Sequence, residues 1–291
     1  MALRGLMPAM ITPFDANGRL NLGIIPELVE FYRSHGMTGL TVGGTNGEGT
    51  SMSVGERNSL VTEVMKFKGD LTIVAGTGAA SVVDAETLTR HASDAGVDAV
   101  LTLPPFFYKN VSALGVANYF RQVLKASKVP VLLYSIPQHT GVSITDEILT
   151  TLSDEPLLAG LKDSRGVWED TRQLLERWPG LQIFTGSDEL MARGLIHGAA
   201  GCISGTANPF PDLVAAVGNA HSSQIDDKLD VAQARLDVAK TILLKYPLIA
   251  NNKAVMKLRG LPEMFVRPPL VNLTNEQRAS ITTEMKEANL I

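Results

Sequence analysis

The chain has 291 residues, of which 45% are hydrophobic and 19% charged, and its formal net charge is −4. This composition is typical of a folded protein with a large apolar core, and it excludes disordered and collagen-like chains. The negative charge and the scattered basic residues argue against nucleic acid or an anionic membrane surface as a partner.

The sequence predicts neither a membrane span nor a disulfide. The apolar stretch at residues 1–14 is interrupted by Pro8 and Pro13, and it is shorter than the ~18 apolar residues that cross a bilayer. The single cysteine, Cys202, lies in an apolar run, which favours a buried structural thiol over a nucleophile. One cysteine also favours a reducing compartment, so we expect a cytoplasmic protein.

Short apolar runs alternate with longer amphipathic stretches along the chain. The runs predict eight strands: Leu6–Ile11, Gly39–Val42, Thr72–Ala75, Ala99–Leu103, Val131–Tyr134, Leu158–Leu161, Gln182–Phe184 and Gly201–Ile203. Helical patterns lie between them, for example Ile24–Ser34, Glu56–Phe67, Asp84–Ala95, Leu114–Lys125 and Asp188–His197. Repeated strand–helix units imply parallel strands. We therefore predict an α/β fold, a (β/α)8 TIM barrel over residues 1–223, with an open doubly wound sheet as the alternative.

Three further helical patterns follow the eighth strand. They are Asp226–Leu244, Asn252–Leu258 and Thr274–Asn289. The last begins with a capping box formed by Thr274 and Gln277. Residues 266–270 contain two prolines and are expected to be an extended linker. Residues 224–291 are therefore predicted to form a helical appendage of the same domain.

Lys162 closes the sixth strand. In a (β/α)8 barrel the active site lies at the C-terminal ends of the strands. Burial there would lower the pKa of the amine and make it nucleophilic at neutral pH. The same position also fits a lysine that reaches solvent or pairs with Asp163.

Other strand ends carry further candidate groups. Tyr134 ends the fifth strand, where its hydroxyl could carry a proton to or from a substrate oxygen, or simply pack at the rim. The second strand leads into Gly43–Gly49, whose backbone N–H groups could hold a phosphate or carboxylate, or only form a tight turn. Gly186 and Ser187 follow the seventh strand and are expected to line the barrel mouth.

Metal and serine-hydrolase sites are not supported by the sequence. No two histidines are spaced as a close ligand pair; they are His35, His91, His139, His197 and His221. A Gly-x-Ser-x-Gly nucleophile elbow is also absent from the sequence. We therefore predict no metal site.

Four motifs in fixed order resemble the dihydrodipicolinate synthase / N-acetylneuraminate lyase superfamily. They are Gly44-Thr-Asn-Gly-Glu48, Tyr134-Ser-Ile-Pro137, Gly160-Leu-Lys-Asp-Ser164 and Gly201-Cys-Ile-Ser-Gly-Thr-Ala-Asn208. The resemblance covers nearly the whole chain, from Pro8 to Leu270. It implies that Lys162 forms an imine with the C2 carbonyl of pyruvate, or of a 2-oxo acid that contains a pyruvate unit. It also implies that a carbon–carbon bond is then made or broken at C3, without a cofactor.

The resemblance further implies roles for the residues around the lysine. Tyr134 would relay protons, and Thr45 would hydrogen-bond to it. The backbone N–H groups of Thr45 and Asn46 would hold the carboxylate, while the backbone of Ile203 would line the same pocket. Gly186 is a further candidate for the substrate-binding pocket.

Two positions depart from the pattern of the family. Synthases of the lysine pathway carry an arginine where this chain has His139, and an imidazole does not replace a guanidinium fork as a carboxylate clamp. His139 is therefore a candidate contact for the second substrate. The family commonly forms homotetramers, as dimers of dimers, in which an aromatic side chain crosses between active sites. Here Phe107 takes the place of the second relay tyrosine, and Tyr108 is displaced by one position.

We therefore expect a lyase of the class I aldolase type, acting on a 2-keto-3-deoxy sugar acid or 4-hydroxy-2-oxoglutarate. One alternative is 4-hydroxy-tetrahydrodipicolinate synthase, which joins pyruvate to aspartate semialdehyde. A dehydratase or deaminase that uses the same lysine imine is a second. The third is a catalytically inactive barrel that senses a 2-oxo acid.

Overall fold

Eight parallel strands form a single sheet in a computed structural model that describes residues 3–291. The strands are β1 Gly5–Pro8, β2 Gly39–Val42, β3 Thr72–Gly76, β4 Ala99–Thr102, β5 Val131–Ser135, β6 Leu158–Asp163, β7 Gln182–Thr185 and β8 Gly201–Ser204. Their order is β1-β8-β7-β6-β5-β4-β3-β2, and a bridge between Ala9 and Thr41 brings β1 beside β2. The predicted TIM barrel is confirmed, and the open sheet is wrong because the two edges meet.

Helices cover the outside of this barrel. Those that precede or follow its strands are α1 Ile25–Ser34, α2 Val54–Phe67, α3 Val82–Asp94, α4 Ala113–Ala126, α5 Pro137–Thr140, α6 Asp146–Thr151, α7 Trp168–Arg177, α8 Met191–Ile196 and α9 Pro211–Ser222. Because helices shield one face and the barrel interior the other, most strand positions are buried. This double burial explains why the strands appear in the sequence as continuous apolar runs.

The barrel interior is filled by side chains from alternate strand positions. One buried cluster includes Met7, Val74, Leu101, Leu132 and Phe184. Cys202 points away from this cluster into the layer between strands and helices, where burial raises the pKa of its thiol to about 12. The prediction of a buried thiol at this position is confirmed.

The chain continues after the barrel with α10 Asp226–Leu243, α11 Leu248–Leu258 and α12 Asn275–Glu287. The Thr274–Gln277 capping box is present at the start of α12. Every residue of α11 from Ala250 to Met256 is buried. This helix begins four residues earlier than predicted and is enclosed by the rest of the molecule. Among the described residues, no helix is both long and apolar enough to cross a membrane.

A buried ion pair joins α11 to the loop that follows β2. The ammonium of Lys253 lies 2.5 Å from the carboxylate of Glu48, and the two side chains are at most 1% exposed. Lys253 also donates to the Phe265 carbonyl, at 2.6 Å. The second Glu48 oxygen accepts the backbone N–H of Arg267, at 2.8 Å. Residues 44–48 are therefore fixed by the C-terminal part of the chain.

The energy of this pair can be tested with Lys253→Met. Removal of one partner leaves the Glu48 charge buried without its cation, and we expect the free energy of unfolding to fall by about 3–5 kcal/mol. The measurement is denaturant-induced unfolding followed by circular dichroism. Lys245→Met is the matched control, because the Lys245–Glu284 pair is substantially exposed and should contribute about 0–1 kcal/mol. If the free energy of unfolding falls equally in the two variants, burial does not explain the strength of the Lys253–Glu48 pair.

Candidate active site

A cavity of about 370 Å³ opens at the C-terminal ends of the barrel strands. Seven of the eight predicted site residues line it: Thr45, Asn46, Tyr134, His139, Lys162, Gly186 and Ile203. They come from loops or strand ends at β2, β5, β6, β7 and β8, so the barrel brings together groups that are far apart in sequence. The eighth residue, Tyr108, is 72% exposed and does not line this cavity.

Lys162 and Tyr134 lie side by side inside the barrel. The parallel register of β5 and β6 pairs the two residues directly. Each is 4% exposed, and the Lys162 Nζ atom lies 4.3 Å from the centroid of the Tyr134 ring. A lysine that reaches solvent does not fit this burial. Pairing with the neighbouring Asp163 does not fit either, because the Asp163 carboxylate binds Arg165 and the hydroxyl of Thr171.

The ionisation of Tyr134 depends on its neighbours. Burial by itself would raise the pKa of the phenol, but the positive charge of Lys162 opposes this effect. Hydrogen bonds with Ser164 and Thr45 act in the same direction as that charge, so the pKa of Tyr134 lies below its ordinary value. A phenol whose pKa is lowered gives up and takes back a proton more readily than an ordinary tyrosine.

The loop after β2 presents backbone donors to the cavity. The N–H groups of Thr45 and Asn46 donate to no backbone oxygen of residues 3–291. The following residues are held tightly, since the N–H groups of Glu48 and Gly49 bond to the carbonyls of Thr45 and Gly44. Two adjacent unused N–H groups on a fixed loop are suited to a carboxylate or another small anion.

Gly186 is required by the close approach of β7 to β6. A methyl group on its Cα would collide with Ser164 Oγ and lie 2.9 Å from Lys162 Cε. The Gly186 N–H also donates to the Asp163 carbonyl, at 2.7 Å. The absence of a side chain at this position leaves room for the lysine, which explains a glycine at the end of β7.

The cavity is also lined by residues outside the eight predicted ones, among them Ser164 and Lys240. Ser164 follows the Lys-Asp pair, where its position next to the candidate nucleophile already indicates the second half of the pocket, and its hydroxyl helps to lower the pKa of Tyr134. Lys240 lies on α10 and lines the same cavity. Its sequence context is an ordinary amphipathic helix, which carries no indication of an active site.

A second cavity, of about 380 Å³, also borders Tyr134. Thr45, Tyr134 and His139 line both cavities, whereas Phe106 lines only the second. His139 is exposed at the rim on the short helix α5. Among residues 3–291, no three His, Cys, Asp or Glu side chains are arranged to hold a metal ion.

Comparisons with known proteins agree with this geometry. Residues 2–288 match the model of the dihydrodipicolinate synthetase family. An uncharacterized DapA-like lyase of Chloroflexus aurantiacus is 40% identical over 284 residues, which are 96% of this chain and 94% of the relative. A 4-hydroxy-tetrahydrodipicolinate synthase of Acidothermus cellulolyticus is 32% identical over 285 residues, 97% of this chain and 92% of the relative. The solved structure of the dihydrodipicolinate synthase of Acinetobacter baumannii, complexed with pyruvate, superimposes with a TM-score of 0.92 at 26% identity and full coverage of both chains.

The coupling between Lys162 and Tyr134 can be measured by tyrosinate absorbance. Lys162→Met removes the cation that favours the phenolate, so we expect the pKa of Tyr134 to rise. Ultraviolet difference titration follows the ionisation, and Tyr134→Phe assigns it among the five tyrosines of the chain. The exposed Lys125 supplies the control, since Lys125→Met should leave the titration unchanged. An unaltered Tyr134 titration in Lys162→Met would refute the coupling.

Proposed function

The chain belongs to the dihydrodipicolinate synthetase family of carbon–carbon lyases, and we propose that it is a class I aldolase in which Lys162 forms an imine with a 2-oxo acid. One observation carries this proposal: the Lys162 amine is buried at the barrel mouth, 4.3 Å from the Tyr134 ring. An amine and a phenol with a lowered pKa, enclosed in one cavity, are the two groups that imine chemistry on a carbonyl requires.

The carboxylate of the substrate binds the N–H groups of Thr45 and Asn46. Their lack of backbone acceptors and their place in the same cavity as Lys162 support this role. Ile203 and Gly186 line the wall beside the lysine. The pyruvate bound to the related Acinetobacter baumannii synthase supports pyruvate as the first unit of the substrate.

Lys162, Tyr134 and water are sufficient for the proposed reaction. The Lys162 amine attacks C2, and loss of water gives the imine. In the cleavage direction, Tyr134 accepts the proton of the C4 hydroxyl, the C3–C4 bond breaks, and its electron pair moves into the imine to form an enamine. The aldehyde leaves, Tyr134 returns its proton to C3, and water hydrolyses the imine to release pyruvate and the free amine. The lysine itself acts as the electrophilic catalyst.

The second half of the substrate is a hydroxylated chain, as in a 2-keto-3-deoxy sugar acid or 4-hydroxy-2-oxoglutarate. His139 and Ser164 line this part of the cavity. The exposed position of His139 on a short helix suits a contact with a substrate that extends towards the rim. We expect these residues to set the choice of the second substrate, because the imine requires only the other half of the cavity.

We further propose a homotetramer built from two exposed apolar surfaces. Phe107 and Tyr108, after β4, are 76% and 72% exposed, and Val167 and Ile196, after β6 and on α8, are 50% and 60% exposed. Exposed clusters of this kind mark protein–protein contacts. Tyr108 is then a candidate aromatic for the active site of a neighbouring subunit rather than of its own.

Borohydride trapping tests the imine directly. Reduction in the presence of pyruvate should attach one pyruvate-derived group to Lys162, identified by peptide mass spectrometry. Lys162→Ala should trap nothing and lose at least about three orders of magnitude in kcat, as for removal of a covalent nucleophile. Lys125→Ala is the matched control, an exposed lysine that should leave both measurements unchanged. Turnover that survives in Lys162→Ala would disprove the mechanism.

The runner-up is 4-hydroxy-tetrahydrodipicolinate synthase, which the 32% identity to the Acidothermus cellulolyticus enzyme supports. His139 in place of an arginine is the observation against it, because a carboxylate of the second substrate lacks its bidentate partner. Two assays decide between the functions: pyruvate release from hydroxylated 2-oxo acids, including N-acetylneuraminate, and condensation of pyruvate with aspartate semialdehyde. We expect kcat/KM for release to exceed that for condensation by roughly two orders of magnitude, given the strength of such a clamp. Faster condensation would establish the synthase instead.

A further inference from the structure

Lys240 is a second, partly buried lysine in the same cavity as Lys162. It comes from α10, in the C-terminal extension, whereas the other polar side chains of the pocket come from barrel strand ends and the segments that follow them. Its side chain is 14% exposed, and Gly186 and Ser187 line the cavity with it. None of the steps proposed above uses this ammonium group.

The position of the Lys240 ammonium is fixed by a single hydrogen bond. Its Nζ donates to Asp188 Oδ2 at 3.0 Å, while the nearest Glu189 oxygen lies 3.7 Å away. Asp188 is itself held, because the same Oδ2 accepts the Thr206 hydroxyl and its carbonyl accepts the Gln233 amide. An ammonium has three donors, so two remain for a ligand in the cavity within the part of the chain that the structure describes.

The charges around Lys240 restrict what that ligand can be. Burial lowers the pKa of Lys240, but the carboxylates of Asp188 and Glu189 outweigh this effect and hold it above its ordinary value. The carboxylates of Asp188, Glu189 and the nearby Asp237 outnumber this one ammonium, so negative charge is in excess around Lys240. A second carboxylate on the substrate would meet this excess of negative charge. A hydroxyl group accepts from the ammonium and donates to a carboxylate, so it matches both kinds of neighbour.

We propose that Lys240 is a specificity-determining residue that binds hydroxyl oxygens at the distal end of a polyhydroxylated 2-oxo acid. The inference rests on the proposed aldolase function, and it selects 2-keto-3-deoxy sugar acids over the dicarboxylate 4-hydroxy-2-oxoglutarate. If the Lys240–Asp188 pair were purely structural, Lys240 would not need to line the catalytic cavity with two N–H donors still free.

The test compares Lys240→Gln with wild type on two substrates, a 2-keto-3-deoxyhexonate and 4-hydroxy-2-oxoglutarate. Loss of a charge-assisted hydrogen bond should raise KM for the sugar acid by about 10- to 100-fold. The change in KM for 4-hydroxy-2-oxoglutarate should stay within roughly threefold, because that substrate lacks the distal hydroxyl groups. Lys228→Gln, an exposed lysine on the same helix, is the matched control.

Lys240→Gln also leaves the Asp188 charge without its cation, so a second variant separates binding from folding. Asp188→Asn combined with Lys240→Gln replaces the ion pair by two neutral amides of similar shape. We expect it to show the same selective rise in KM with little change in kcat. Equal losses on both substrates, in step with a lowered melting temperature, would show that Lys240 is only structural and overturn the inference.

Hydrogen–deuterium exchange at C3 of pyruvate separates a failure of the Lys240 role from a failure of the aldolase mechanism. This exchange requires the imine and enamine but no distal group. If wild type exchanges and the KM effect is absent, the role of Lys240 is wrong and the aldolase mechanism stands. If wild type does not exchange, the proposed function itself fails.

Discussion

The candidate active site depends on a buried ion pair that does not touch the reacting groups. Glu48 and Lys253 are both almost fully enclosed, and the Glu48 carboxylate also accepts the Arg267 N–H. Two charges removed from water are tolerated only when their partners are in place. Their enclosure therefore holds the loop that carries Thr45 and Asn46 in one arrangement. The C-terminal helices are consequently part of the site, because α11 supplies one half of the pair.

The barrel register supplies the second constraint. Parallel pairing of β5 with β6 places Tyr134 beside Lys162, and the missing side chain of Gly186 leaves space on the other flank. Backbone geometry positions both Tyr134 and Gly186 next to Lys162. The lysine is therefore enclosed without an ion pair to the adjacent Asp163. That carboxylate instead stabilises the end of β6 through Arg165 and Thr171. Strand pairing thus decides which groups share the pocket with the amine.

Local signals in the sequence predicted all eight strands and the positions of Lys162 and Tyr134. Apolar runs reveal strands that are buried on both faces, and a polar residue that ends such a run stands out. The same signals could not reveal Lys253, whose partner Glu48 is 205 positions away in the chain. Nor could they reveal Lys240, which stands in an ordinary helical pattern. These contacts depend on how α10 and α11 fold back over the barrel mouth, and no short-range pattern encodes that arrangement.

The two lysines of the cavity differ in their neighbours, and this difference is the basis for the separate roles that we propose for them. Lys240 is hydrogen-bonded to Asp188, which favours its charged form and makes it a donor of hydrogen bonds rather than a nucleophile. Lys162 lies against the ring of Tyr134, and the phenol beside it can exchange protons with a bound substrate. In the proposed function the substrate has two anchors, a covalent one at Lys162 and the Lys240 cation. The barrel provides the first through strand register, and the C-terminal extension provides the second through α10.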